Sequence, residues 1–207
     1  MTTDARSLLL QLLSRISFKL GEFKLSSGGT SDYYIDCRTT TLHAEGGRLT
    51  GLALLDLLHR HKLHPQAVGG LTMGADPVVS NVATASAWRA HQDHTTALIH
   101  GFLVRKTEKA HGTGRRIEGF LEPGAVVVIV DDVCTTGAST IDAIRAADAA
   151  GMRVIGALCL VERTEAKGRP AVEEALRSAE KSPAEAPFLS LFTADDVRAE
   201  HVAHLAM

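Results

Sequence analysis

The stretch VVVIVDDVCTTGAST, residues 126–140, limits the folds open to this chain more than any other. An unbroken run of β-branched residues reads as a strand buried on both faces, as in a parallel sheet covered by helices on each side. The run gives way at two adjacent carboxylates, Asp131 and Asp132, where the strand is predicted to stop. Beyond them Thr135, Thr136, Gly137, Ala138, Ser139 and Thr140 form a small hydroxylated loop. Ile141, Ile144 and Ala147 then recur at helical spacing.

Such a loop turns backbone N–H groups, hydroxyls and the positive end of a helix dipole toward one point, which suits a phosphate monoester. The acids serve another purpose, because carboxylates repel phosphate unless a metal or a ribose hydroxyl lies between them. A ligand with a phosphate at one end and a vicinal diol at the other satisfies both halves, and a ribose 5-phosphate has that form. The competing reading is an ordinary strand-to-helix turn with exposed acids. It accounts for the flanking elements but leaves the coincidence of acid pair, hydroxyls and glycine unexplained.

At 207 residues, 45% of them apolar, the chain has the length for one α/β domain with a substantial core and a small appendage. The formal net charge of −2 gives no global basic field of the kind that holds nucleic acid, so anionic ligands must be met by local clusters. The three cysteines, Cys37, Cys134 and Cys159, are scattered and in no C-x-x-C spacing, which fits a reducing cytoplasm. The early apolar run at residues 8–13 is too short to span a bilayer, and no membrane association is expected.

Leu8, Leu9, Leu12, Leu13 and Ile16 place a helix over residues 3–19, ended by Gly21. Residues 21–38, GEFKLSSGGTSDYYIDCR, have hairpin character: strand-like pieces at 23–25 and 32–36 flank a Ser/Gly turn. Tyr33 and Tyr34 can stack on a flat heterocycle, although alternation along a strand sends one of the two into the interior. A helix is predicted over 44–62. The histidines at 59, 61 and 64 read as a solvated helix end because their spacing suits no common zinc site, and the i, i+3 pairs 91/94 and 201/204 read as surface residues on exposed segments.

A short strand at 67–71 leads into GGLTMGADPVV and a helix over 76–87. Thr72 and Gly74 at this strand-to-helix junction form a second backbone-amide nest, fit for a pyrophosphate, or else an unremarkable tight turn. A strand at 97–104 then delivers Arg105, Lys106, Lys109, His111, Arg115 and Arg116, interleaved with Gly112 and Gly114. A flexible basic loop beside two anion cradles reads as a lid that excludes water and neutralises a departing anion. The bland alternative is a solvated charge run. A strand at 154–161 ends in Glu162 and Arg163. An arginine there points into the crevice where open α/β sheets bind ligands and can pair with a carboxylate, unless it is spent on Glu162 or Glu165. A polar helix over 171–180, an edge strand over 188–192, and a closing helix capped by Thr193 with Asp195 and Asp196 in its first turn complete the chain.

Residues 126–140 resemble the phosphoribosyl pyrophosphate (PRPP) signature of type I phosphoribosyltransferases, and three further passages resemble the orotate-specific members. The F-x-L-x-S-G turn at 23–28 with the tyrosine pair is similar to their hood, the GADP wording at 74–77 to their pyrophosphate loop, and RKTEKAHGTG to their R-K-x-x-K-x-H-G loop. Ser26 and Met73 stand where many members carry lysine. The resemblance implies an α/β fold with a mainly parallel central sheet flanked by helices. One phosphoribosyltransferase domain would span 1–207, with residues 1–40, alone or with the C-terminal segment, forming a small N-terminal hood. It implies transfer of 5-phosphoribosyl from PRPP to orotate, with Mg²⁺ held mainly through PRPP and water. Arg105, Lys109 and His111 would contact pyrophosphate, with Lys109, His111, Asp131 and Asp132 catalytic. Thr72, Gly74 and residues Thr135, Thr136, Gly137, Ala138 and Ser139 would hold PRPP; Arg163, Tyr33, Tyr34 and Thr135 would hold orotate. Lys106 would reach the neighbouring active site of a homodimer. A phosphoribosyltransferase for another base, such as adenine or uracil, and a non-catalytic PRPP-sensing regulator are the rival readings.

Overall fold

A computed structural model of the chain describes residues 4–24, 29–94, 96–107 and 116–206. Helix α1 (Ala5–Ile16) leads into a two-stranded antiparallel hairpin, β1 (Phe18–Lys24) and β2 (Thr30–Ile35), followed by the short α2 (Arg38–Thr41) and by α3 (Ala44–Arg60). Strand and helix then alternate: β3 (Ala67–Leu71), α4 (Ala75–Asp93), β4 (His100–Val104), β5 (Ile117–Gly119), β6 (Val126–Cys134), α5 (Ala138–Ala149) and β7 (Arg153–Glu162). A 3₁₀ turn (Thr164–Ala166), α6 (Arg169–Ser178), β8 (Phe188–Thr193) and α7 (Ala194–Leu205) close the chain.

The main sheet has six strands in the order β5-β4-β3-β6-β7-β8. All its pairings are parallel except β4 with β5. Along β6, Val128 and Val130 enter a core shared with α1, α3, α4 and α7, while Val127 and Ile129 enter a second core on the opposite face, shared with α5 and α6. A strand covered on both sides can tolerate a polar residue on neither, which is why its sequence is a continuous apolar run.

Several boundaries differ from the sequence-based expectation. Strand β6 does not stop at the acids but runs through them to Cys134, because β7 is long enough to pair with Val133 and Cys134 through Val161 and Glu162. Helix α1 ends at Ile16, and Gly21 lies inside β1. There the Ser17 hydroxyl is taken up by Thr39 and Thr40 at 2.7 and 2.6 Å, and Phe18 turns inward to stack on Tyr33 with ring centres 5.3 Å apart. His201 is not a surface residue: its Nδ1 lies 2.6 Å from the Ser14 carbonyl oxygen and its ring packs on Phe18. Thr193 caps α7 as expected, with a reciprocal bond from its own N–H to Asp196 at 2.8 Å.

Candidate active site

From β3 the chain crosses to β4 on one side and later returns to lay β6 on the other. Where strand order reverses in this way, the helices that follow the two strands depart to opposite sides and leave a crevice at the carboxyl ends. The turn after β3 and the acids of β6 both open into it. A cavity of about 780 Å³ is lined there by Thr72, Gly74, Asp131, Asp132 and Ser139, and by Arg105 and Lys106 from the end of β4. A smaller one, about 290 Å³, is lined by Tyr34, Thr135 and Arg163; the two share Arg38, Gly74, Asp132 and Val133. They are neighbouring compartments of one crevice. A larger groove of about 920 Å³ runs beside Leu42 and Trp88, and none of the residues expected at the site lines it.

The acid pair is held unequally. Asp131 is buried at 5% exposure, and accepts from the Thr140 hydroxyl at 3.0 Å and from the Asp132 N–H at 3.0 Å. Burial, and then the charge of Asp132 beside it, push its carboxyl up to about 7. Asp132 is more open and accepts from the Val133 N–H at 2.9 Å; burial raises its carboxyl too, with that N–H opposing the rise. Two neighbouring carboxylates that both resist ionisation favour a ligand carrying hydroxyl donors or a cation.

The loop after β6 wraps the start of α5, with Gly137 at φ +80° preceding its first turn. Ser139 reaches the larger compartment and Thr135 the smaller, while Thr136 and Ala138 are exposed at the rim. Across the crevice the Thr72–Met73 peptide bond is cis and the Met73 side chain is 68% exposed.

The two tyrosines part company. Tyr34 is 46% exposed and lines the smaller compartment. Tyr33, expected to face the acceptor as well, is 7% exposed and sandwiched, with Phe18 on one face and the Arg163 guanidinium carbon 4.7 Å from its ring centre on the other. Its hydroxyl donates to Glu165 and accepts from Arg163 Nε at 2.9 Å; burial first, and then the bond to Glu165, raise it to about 12. Arg163 thus bonds Glu165 as well, at 3.0 Å through Nε, yet still lines the smaller compartment.

At the mouth, the Arg105 N–H donates to the Arg116 carbonyl at 2.8 Å, and the Arg116 side chain returns to the Arg105 carbonyl and to Asp142, the latter at 2.7 Å. These bonds fasten the base of the basic loop, so Arg116 serves as an anchor. Lys109, His111 and Arg115 lie outside the described residues.

A family model for the phosphoribosyl transferase domain matches residues 69–181, from β3 to just past α6. Orotate phosphoribosyltransferase from Streptomyces coelicolor is 43% identical over 166 residues, which is 80% of this chain and 87% of that one. The same enzyme from Rhodopirellula baltica is 40% identical over 159 residues, 75% and 79% of the two chains. The chain belongs to the orotate phosphoribosyltransferase family. Among solved structures, the orotate phosphoribosyltransferase of Mycobacterium tuberculosis superposes with a TM-score of 0.75 at 33% identity, covering 93% of this chain and 98% of that one. Its complex with PRPP gives 0.71 at 30% identity, with 94% and 99% covered.

Sequence reasoning misses one residue of this family member's crevice and misplaces another beside it. Arg38 follows the β1–β2 hairpin, is held by Asp36 through paired bonds of 2.9 and 2.8 Å, and stands at the junction of both compartments. Its signal is an arginine two residues after an aspartate where a strand ends. Thr140 reads in sequence as part of the phosphate loop, but its hydroxyl is turned back to Asp131.

Proposed function

We propose that this chain transfers the 5-phosphoribosyl group of PRPP to N1 of orotate, giving orotidine 5′-monophosphate and pyrophosphate. One observation carries the reading: Thr72 and Gly74 of the first nest, Ser139 of the second, the acid pair, Arg105 and Lys106 line one compartment, joined through Arg38 and Asp132 to a second one that presents Thr135, Arg163 and Tyr34.

In this reading residues 135–139 hold the 5-phosphate far from the bond that breaks, so remote binding energy orients the reacting carbon. Asp131 and Asp132 accept from the ribose hydroxyls and place negative charge beside C1 as it gains oxocarbenium character. Thr72 and Gly74 bind pyrophosphate through the backbone, and Arg105, Lys109 and His111 stabilise it as the C1–O bond breaks. Arg163 holds the acceptor's carboxylate while Tyr34 covers its ring. The C1–N1 bond then forms and the N1 proton is released. Mg²⁺ would be held mainly through PRPP and water, with the carboxylates of Asp131 and Asp132 lining the same compartment, and when bound it would offset the charge of pyrophosphate. The active unit is a cytoplasmic homodimer in which Lys106 completes the partner's site. No helix among the described residues is long and apolar enough to cross a membrane.

A steady-state assay offering orotate, uracil, adenine and hypoxanthine with PRPP and Mg²⁺ tests this. Turnover of orotate alone is expected; turnover of a purine but not orotate would overturn it.

A further inference from the structure

The carboxylate of Glu162 is 4% exposed, and no step above uses it. A charge so placed must be paired and fully hydrogen-bonded. Arg169 meets it with both arms of its fork, Nε donating to Oε1 at 2.9 Å and Nη2 to Oε2, and the Ser190 hydroxyl donates to Oε2 at 2.9 Å. The remaining arm is occupied too: Nη1 donates to the Phe188 carbonyl at 2.7 Å, and the guanidinium carbon lies 4.8 Å from the Phe188 ring centre. A planar fork bonded on every side has little freedom to move against β7 and β8.

Glu162 is the last residue of β7 and Arg169 the first of α6, so their contact closes the neck of the segment 163–168. One end of that segment is Arg163, which lines the acceptor compartment. The other is Gly168, packed against the back of the phosphate loop. A Cβ on Gly168 would lie 2.3 Å from the Thr135 carbonyl oxygen, 2.7 Å from the Thr136 carbonyl carbon and 2.9 Å from the Gly137 nitrogen. Backbone rests on backbone there, with no room for a methyl group. Val172 of α6 presses on the same loop, since a Cβ on Gly137 would meet its Cγ2 at 2.5 Å.

We infer that the Glu162–Arg169 pair positions both substrate compartments at once, setting the seat of the 5-phosphate loop on Gly168 and the reach of Arg163 toward the acceptor. The inference rests on the function proposed above. Neither Glu162 nor Arg169 touches a substrate; both are positioning residues.

The test is Arg169→Gln in the full chain, with steady-state kinetics for both substrates and calorimetry with ribose 5-phosphate. KM for PRPP and for orotate should each rise about tenfold, the ribose 5-phosphate Kd should rise in step, and kcat should stay within about threefold. Arg169→Lys restores charge without the fork and should fall between. Should Arg169→Gln fold poorly, Glu162→Met/Arg169→Met leaves no buried unpaired charge and should show the same rise in both KM values. Values within about twofold of the parent, or a rise in only one KM, would overturn the inference. A parent that fails to turn over orotate refutes the functional reading instead, and the ribose 5-phosphate arm still tests the clamp.

Discussion

A Cβ on Gly74 would lie 2.4 Å from Oδ1 of Asp132, so the turn after β3 and the acid pair of β6 touch without a side chain between them. The two halves of the crevice are in this sense one surface, and their spacing leaves no room for a methyl group unless the Asp132 carboxylate or the turn shifts.

Gly74→Ala should therefore push Asp132 out of place or lift the turn. We expect kcat/KM for PRPP to fall by about a hundredfold, on the scale of misplaced reacting groups, with the melting temperature changing little. A variant with kinetics like the parent's would show that the contact is incidental.

The acid pair makes a pH prediction. Asp131 titrates near 7 in the fold against an ordinary value of 3.8, so the folded chain binds that proton more tightly than the unfolded one. Its contribution to stability is full at pH below the ordinary value and is lost as pH rises through about 7. Asp131→Asn keeps an acceptor for Thr140 and cannot ionise. Its stability advantage over the parent should be small near pH 4 and grow by pH 8 to a few kcal/mol, because each pH interval of one between the two titration points is worth about 1.4 kcal/mol. Melting curves of both proteins across this range give the answer; a constant difference would contradict it.

The Arg163–Tyr33–Glu165 cluster separates binding from rate. Glu165→Ala leaves the Nε of Arg163 with only the Tyr33 hydroxyl as acceptor and loosens its aim, so KM for orotate should rise several-fold with kcat nearly unchanged, while Arg163→Ala should raise KM much further. Glu165 is half exposed, so the substitution should not disturb folding. Equal losses in kcat would argue that Arg163 acts in the chemical step instead.

Lys109→Ala, in the basic loop, should lower kcat far more than the affinity for PRPP, because its proposed contact strengthens as charge develops on pyrophosphate. Parallel losses in binding and rate would remove that role. A mixed dimer of Lys106→Ala and Asp132→Asn subunits should regain active sites if the loop completes the partner's crevice; no recovery on mixing would contradict sharing.

Much of the scaffold is legible in the sequence because it is local. The strand at 67–71 is bounded as predicted, and Thr193 followed by Asp196 spells its cap in the chain itself. The continuous valines of β6 announce a doubly covered strand. What escapes depends on partners distant in sequence. β6 outruns its acids because β7 pairs with it, β5 exists only as an antiparallel edge to β4, and Arg38 matters because folding brings it to Asp132. Tyr33 and Tyr34 are adjacent and chemically alike, and only Phe18 and Arg163 decide which of them is enclosed. Glu162 and Arg169 carry no motif, since a pair seven residues apart across a turn looks in sequence like any surface charge.

The most direct measurement is a crystal structure with PRPP, Mg²⁺ and an unreactive orotate analogue. The 5-phosphate is expected on residues 135–139, the ribose hydroxyls at Asp131 and Asp132, and the analogue's carboxylate at Arg163. Donor density lodged elsewhere, such as the groove beside Trp88, with the crevice between β3 and β6 holding none, would contradict the proposed site.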